Sequence, residues 1–114
     1  MSRAWAMVAL CVAPLALTTG CGTNCNESCI RVYDANECDV QSPGVPTSET
    51  IDRCTNQCRS ALSQVGPVGD YSPFAVGGAS QQRITNERQA AAWMDCVSSR
   101  SCEQLNAGQC NLEL

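Results

Sequence analysis

Cys25-Asn-Glu-Ser-Cys29 and Cys54-Thr-Asn-Gln-Cys58 decide the fold of this chain. On an α-helix, residues four apart share one face, one turn above another. Two such helices packed antiparallel bring their cysteines together twice, outer to outer and inner to inner. The spacing therefore predicts Cys25–Cys58 and Cys29–Cys54 disulfides. The surrounding residues agree with helix. Asn24 stands where an N-cap belongs, with Glu27 three residues later, a capping-box-like pair. Cys25, Cys29, Val32 and Tyr33 fall on one face, so a first helix is expected from Cys25 to about Asp34, ended by Asn36. Pro43, Gly44 and Pro46 mark Asp39–Ser48 as the loop that reverses the chain. The second helix is expected from Thr47 or Ser48 to about Gln64, with Glu49 and Asp52 at the positive end of its dipole. Its buried stripe is read as Ile51, Cys54, Cys58 and Leu62. Arg53, Asn56, Gln57, Arg59 and Ser60 fall on the other side, and Gly66-Pro67 stops the helix.

Beyond this hairpin, residues 66–82 are rich in Gly, Pro and Ser, with Tyr71, Phe74 and Val76 among them. One reading is a loop whose large side chains cover the edge of the core. The other is a binding loop in which Tyr71 and Phe74 contact a partner, since long loops in small domains often carry function. A third helix is expected from Asn86 to Val97, with Thr85 as cap and Ala90, Trp93 and Val97 on one face beside Cys96. Trp93 is read as core. Ser101-Cys102-Glu103-Gln104 has the capping-box pattern and starts a last short helix through about Ala107, ended by Gly108. Of the remaining cysteines, Cys102–Cys110 closes a local turn and Cys38–Cys96 ties the third helix to the hairpin; these are the expected third and fourth bridges. The fold class is all-α, a small disulfide-stapled helical domain.

Composition supports staples over a large core. The chain has 114 residues, ten of them cysteine, and few aromatics. A domain of this size is marginal on burial alone, and each disulfide typically adds about 2–4 kcal/mol. Histidine and lysine are absent, so the commonest general base and the commonest metal ligand are missing. No Cys-x-x-Cys redox pair, nucleophile elbow or phosphate-binding glycine loop occurs. Glu87 and Asp95, eight apart, read as solvated surface charges. A four-cysteine zinc site competes with disulfides on spacing alone, but an exported chain in an oxidising compartment favours disulfides. The expectation is a non-enzyme without metal or cofactor. An acidic chain without a basic run also has no footprint for nucleic acid.

Residues 1–20 carry the signs of export. Arg3 gives a short positive start, and Ala4–Leu17 is apolar throughout, fourteen residues, too short to span a bilayer but suited to a signal peptide. Small residues lead from it to Cys21. Thr18-Thr19-Gly20-Cys21 resembles the lipobox of bacterial lipoproteins, with Leu17 one place before the usual leucine position. The resemblance implies cleavage before Cys21, a diacylglyceryl group on its sulfur and a further acyl chain on its amine. Two or three acyl chains make a stable anchor where one does not. Gly22, where retained inner-membrane lipoproteins often carry aspartate, points to the outer membrane. The organisation expected is a signal peptide over 1–20, an anchor and tether over 21–24, and a cysteine-rich helical domain over 25–114.

Processing leaves six arginines against eleven acids, a net charge of −5. It also settles the cysteine count. Cys11 leaves with the signal and Cys21 is taken by lipid, so Cys25, Cys29, Cys38, Cys54, Cys58, Cys96, Cys102 and Cys110 remain for four bridges. The Cys25–Cys58 region resembles the twin Cys-x-x-x-Cys hairpins of small mitochondrial intermembrane-space proteins. That likeness is one of geometry alone, without their import or chaperone roles. The whole is similar to small cysteine-rich lipoproteins of GC-rich Gram-negative bacteria. The function expected is structural or interactive, on a bacterial envelope and bound to membrane through Cys21, with a protein partner the residues do not identify. The alternative is a secreted inhibitor or toxin-like effector using the 66–82 loop.

Overall fold

The computed structural model describes residues 24–74 and 83–114. They form four helices: α1 (Cys25–Tyr33), α2 (Thr47–Leu62), α3 (Glu87–Ser99) and the short α4 (Cys102–Asn106). The fold is all-α and disulfide-rich, with α1, α2 and α3 in mutual contact. Cysteine supplies seven of the seventeen buried apolar side chains among the described residues, so the staples are themselves much of the core.

The hairpin follows from its local signals. Asn24 is extended and its Oδ1 accepts the Glu27 N–H at 2.8 Å, satisfying one of the free donors at the start of α1. Cys25, Cys29, Val32 and Tyr33 are buried on one face, as their spacing predicts. The helix ends at Tyr33 with Asp34 extended, one residue earlier than expected. The next residues fold back on it: Cys38 N–H reaches Arg31 O and Val40 N–H reaches Val32 O. Asp39 turns the chain there with a φ of 51°. Cys25–Cys58 and Cys29–Cys54 are both formed, with Cα separations of 5.6 and 5.9 Å.

The buried arc of α2 differs from the stripe read off the sequence. Cys54 and Cys58 are buried, but Ile51 is only partly covered and Leu62 is 43 % exposed. Thr50, Thr55, Gln57 and Ala61 are buried in their place. The two disulfides aim one flank of α2 at α1, and the adjoining flank, carrying Gln57 and Ala61, then meets residues 83–84 and the C-terminal tail. Gln57 is satisfied there at both ends. Its Nε2 donates to Glu113 O at 2.9 Å and its Oε1 accepts the Ile84 N–H at 2.9 Å. A buried amide paired this way stabilises, whereas an unpaired one costs about 1–3 kcal/mol.

Asn86, not Thr85, caps α3, accepting the N–H groups of Arg88 and Gln89 on its Oδ1. Thr85 instead donates its N–H and its hydroxyl to Gln89 Oε1. Ala90, Trp93, Cys96 and Val97 are buried. At the far end Arg31 reaches across from α1, its Nε donating to Val97 O and its Nη2 to Arg100 O. A cation on the last carbonyls also suits the negative end of the α3 dipole. The Ser101/Gln104 capping box starts α4 as expected, and Gly108, with a φ of 108°, turns the chain after it.

The last two bridges exchange partners relative to the sequence reading. Cys38 pairs with Cys102, and Cys96 with Cys110. After Gly108 the tail turns back beneath α3, so Cys110 meets the helix face that carries both Trp93 and Cys96. Trp93 Nε1 donates to Cys110 O at 2.8 Å, and Cys110 N–H donates to Pro73 O at 2.7 Å. These contacts and the disulfide hold Cys110 at a φ of 57°, a conformation that costs a non-glycine residue on the order of 1–2 kcal/mol. Cys102, left on the exposed first turn of α4, faces the 34–46 loop and closes on Cys38, with Asn106 Nδ2 donating to Cys38 O beside it.

Candidate functional site

Cys21, the residue with the clearest sequence signal, lies outside the described residues, as does Val76. Of the two proposed contact residues in the 66–82 loop, Tyr71 is a correction. Its ring is 8 % exposed and belongs to the core, because the turn closed by Tyr71 N–H on Val68 O points it inward. Its hydroxyl has no hydrogen-bond partner among the described residues, and burial pushes its pKa up. Phe74 is 47 % exposed, with the Arg100 guanidinium 4.3 Å from its ring centroid, a cation–π contact that covers one face. Tyr71 thus seals the core edge, as the first reading of the loop has it, while Phe74 remains at the surface.

Two clefts stand out in the described surface. The larger, about 710 Å³, runs along the outer face of α2. Arg53, Asn56, Ser60 and Gln64 line one wall, and Arg83 and Thr85 face them. Arg53 is ion-paired with Glu49, and Arg83 Nη1 donates weakly to Glu113 O at 3.4 Å. Its described lining offers amides, hydroxyls and guanidinium groups beside the apolar side chains of Ala61, Ile84 and Leu114. The second cleft, about 370 Å³, lies between the 40–45 loop and the tail, against Tyr33, Thr50 and Leu112. Burial holds the Tyr33 phenol neutral, with a pKa pushed up to about 12. The eight cysteines of the described residues are all in disulfides, which removes the thiolates a zinc site would need. No group of three or more His, Cys, Asp or Glu side chains among the described residues is placed to hold a metal.

One end of the molecule has a distinct surface. Residues 64–68, after α2, are pinned to the start of α3. Glu87 N–H donates to Gln64 O at 2.8 Å, Asn86 Nδ2 to Pro67 O at 2.9 Å and Gln89 Nε2 to Val68 O at 3.1 Å. Gly66 lies directly against Asn86: a Cβ there would come within 2.7 Å of Asn86 Nδ2. This fixed loop turns its aliphatic side chains outward, Val65 being 90 % exposed and Val68 37 %, next to Leu62. Sequence reading took Gly66-Pro67 only as a helix stop and missed the surface it presents. The roles of Gln57, Arg31 and Asn86 were missed as well, since each depends on a partner 19 to 69 residues away.

Among the described residues no helix is long and apolar enough to cross a membrane. No family model, no curated protein and no solved structure matches the chain.

Proposed function

We propose that the chain is a cysteine-rich lipoprotein of the bacterial cell envelope, held by acyl chains on Cys21 at the outer membrane, with a structural or interaction role and no catalysis. The observation that supports it is the completeness of the cysteine pairing. Every cysteine of the described residues is consumed by one of four disulfides, leaving Cys11 in the apolar leader and Cys21 in the lipobox-like stretch. Disulfides at this density belong to an oxidising compartment, which an export signal reaches. A Cys21 thiol without lipid would be an odd cysteine in an otherwise paired domain.

Mass spectrometry of the N-terminal peptide tests the reading. The expected result is a chain beginning at Cys21 and carrying a diacylglyceryl group, in the membrane fraction. An unmodified Cys21 on protein recovered from culture fluid overturns it and supports the secreted module instead. In that case Phe74 is available to a target and the buried Tyr71 is not.

A further inference from the structure

The antiparallel hairpin fixes which end of the domain faces the anchor. Cys25 at the start of α1 is bridged to Cys58 near the end of α2, with a Cα separation of 5.6 Å. Leu62 follows Cys58 by one helical turn, about 6 Å further along α2, in the direction from which the chain enters α1. Four peptide units join Cys21 to Cys25 and span at most about 14 Å. A lipid on Cys21 therefore keeps the end bearing Leu62, Val65 and Val68 within reach of the membrane surface, whatever path those residues take. The opposite end, with Pro46 and Ser48 at the start of α2, faces away.

That anchor-side end carries three of the four exposed large apolar side chains of the described residues, Leu62, Val65 and Val68. Leu62 ends α2, and the loop bearing the two valines is already fixed by its hydrogen bonds to the start of α3, so little ordering is needed to bury them. Charges of both signs flank it, Glu27, Asp70 and Glu87 with Arg59 and Arg88, and they form no basic patch. We propose that Leu62, Val65 and Val68 form a membrane-seating tip that enters the lipid bilayer beside the Cys21 acyl chains and orients the domain upright on it. This rests on the lipid-anchor reading. The occupant is the bilayer because the tip lies where the anchor emerges. Without a basic patch the seating gains nothing from anionic headgroups, and each valine entering the apolar region contributes roughly a tenfold factor in partitioning.

The test uses the full chain purified from the envelope of an expressing bacterium, with Val65→Trp, Ser48→Trp and parent forms placed in phosphatidylcholine vesicles with and without brominated acyl chains. Trp93 is fully buried, so subtracting the parent signal isolates the added indole. The expected result is blue-shifted Val65→Trp emission that brominated lipid quenches, no quenching at Ser48→Trp, and no gain in quenching on adding anionic lipid. The Cys21 peptide is weighed from the same samples. Acylated Cys21 with unquenched Val65→Trp, or with equal quenching at Ser48→Trp, overturns the tip and leaves the anchor standing. Bare Cys21 with quenched Val65→Trp overturns the anchor and supports the tip. Bare Cys21 without quenching overturns both.

Discussion

The α1–α2 hairpin and the C-terminal tail each carry two disulfides, and the bonds act differently in the two places. In the hairpin, Cys25–Cys58 and Cys29–Cys54 lie one helical turn apart, so either bridge holds the cysteines of the other close together. In the tail, Cys38–Cys102 joins residues 64 apart and Cys96–Cys110 residues 14 apart, and neither substitutes for the other. Three of these bridges are buried throughout, whereas Cys102 is exposed. The hairpin is redundant, and the tail depends on each of its attachments. A short sequence motif can encode redundancy, because both pairs come from a repeat of the same spacing. Long-range attachment has no such local code.

The strongest way to break this contrast is Trp93→Ala. Trp93 is fully buried and its indole N–H holds the Cys110 carbonyl. Loss of the ring and an orphaned carbonyl should together cost about 5 kcal/mol, with the damage confined to the tail. Hydrogen exchange should rise in residues 101–114 while α1 and Cys54–Ala61 stay protected; uniform loss across both regions would show one indivisible unit.

Next in size is removal of single bridges by paired Cys→Ala substitution. With the inner hairpin bridge intact, the outer one closes a ring of only about eight residues and should contribute about 2–3 kcal/mol. Cys38–Cys102, with its much longer loop, should contribute about 4 kcal/mol. Denaturant unfolding of C25A/C58A and C38A/C102A compares them, and an equal or larger loss in the hairpin variant would refute redundancy.

The smallest effect sharpens the comparison through pH. Tyr33 lies in the hairpin with its pKa pushed up to about 12, against about 10 in an unfolded chain. Folding thus favours the neutral phenol, a contribution fully present below pH 10 and lost as pH rises to 12. It amounts to on the order of 2–3 kcal/mol. Burial raises Tyr71 in the same direction, so the loop after the hairpin weakens over that window as well. Tyr33→Phe should flatten part of the alkaline fall in denaturation midpoint; an unchanged slope means Tyr33 ionises without opening the hairpin.

What was legible in the sequence follows the same division. The i, i+4 cysteines predicted both hairpin bridges, and Asn24 and Ser101 announced their helices through caps that bond within three residues. Trp93 was readable as core because it is large and lies on an apolar face. The tail bridges were not readable. Choosing Cys110 over Cys38 as partner of Cys96 requires knowing that the chain reverses after Gly108 and passes under Trp93. Nothing local marks Cys110 as a residue that takes positive φ. Rotation of α2 was misjudged for a related reason. Ile51 and Leu62 look more apolar than Thr50 and Gln57, but disulfide geometry and two long-range amide bonds outweigh that preference. The lipobox-like signal stands apart from all of this, in residues outside those described.

Asn86 carries a further consequence. Its Oδ1 starts α3, its Nδ2 holds Pro67 O, and its side chain roofs Gly66 so closely that a methyl group does not fit between them. One side chain therefore makes nucleation of a helix and docking of a distant loop the same event. Release of the loop following α2 leaves the capping amide without its second partner, so the two should open and close together. A pull on that loop would be passed to the third helix instead of peeling the loop off first.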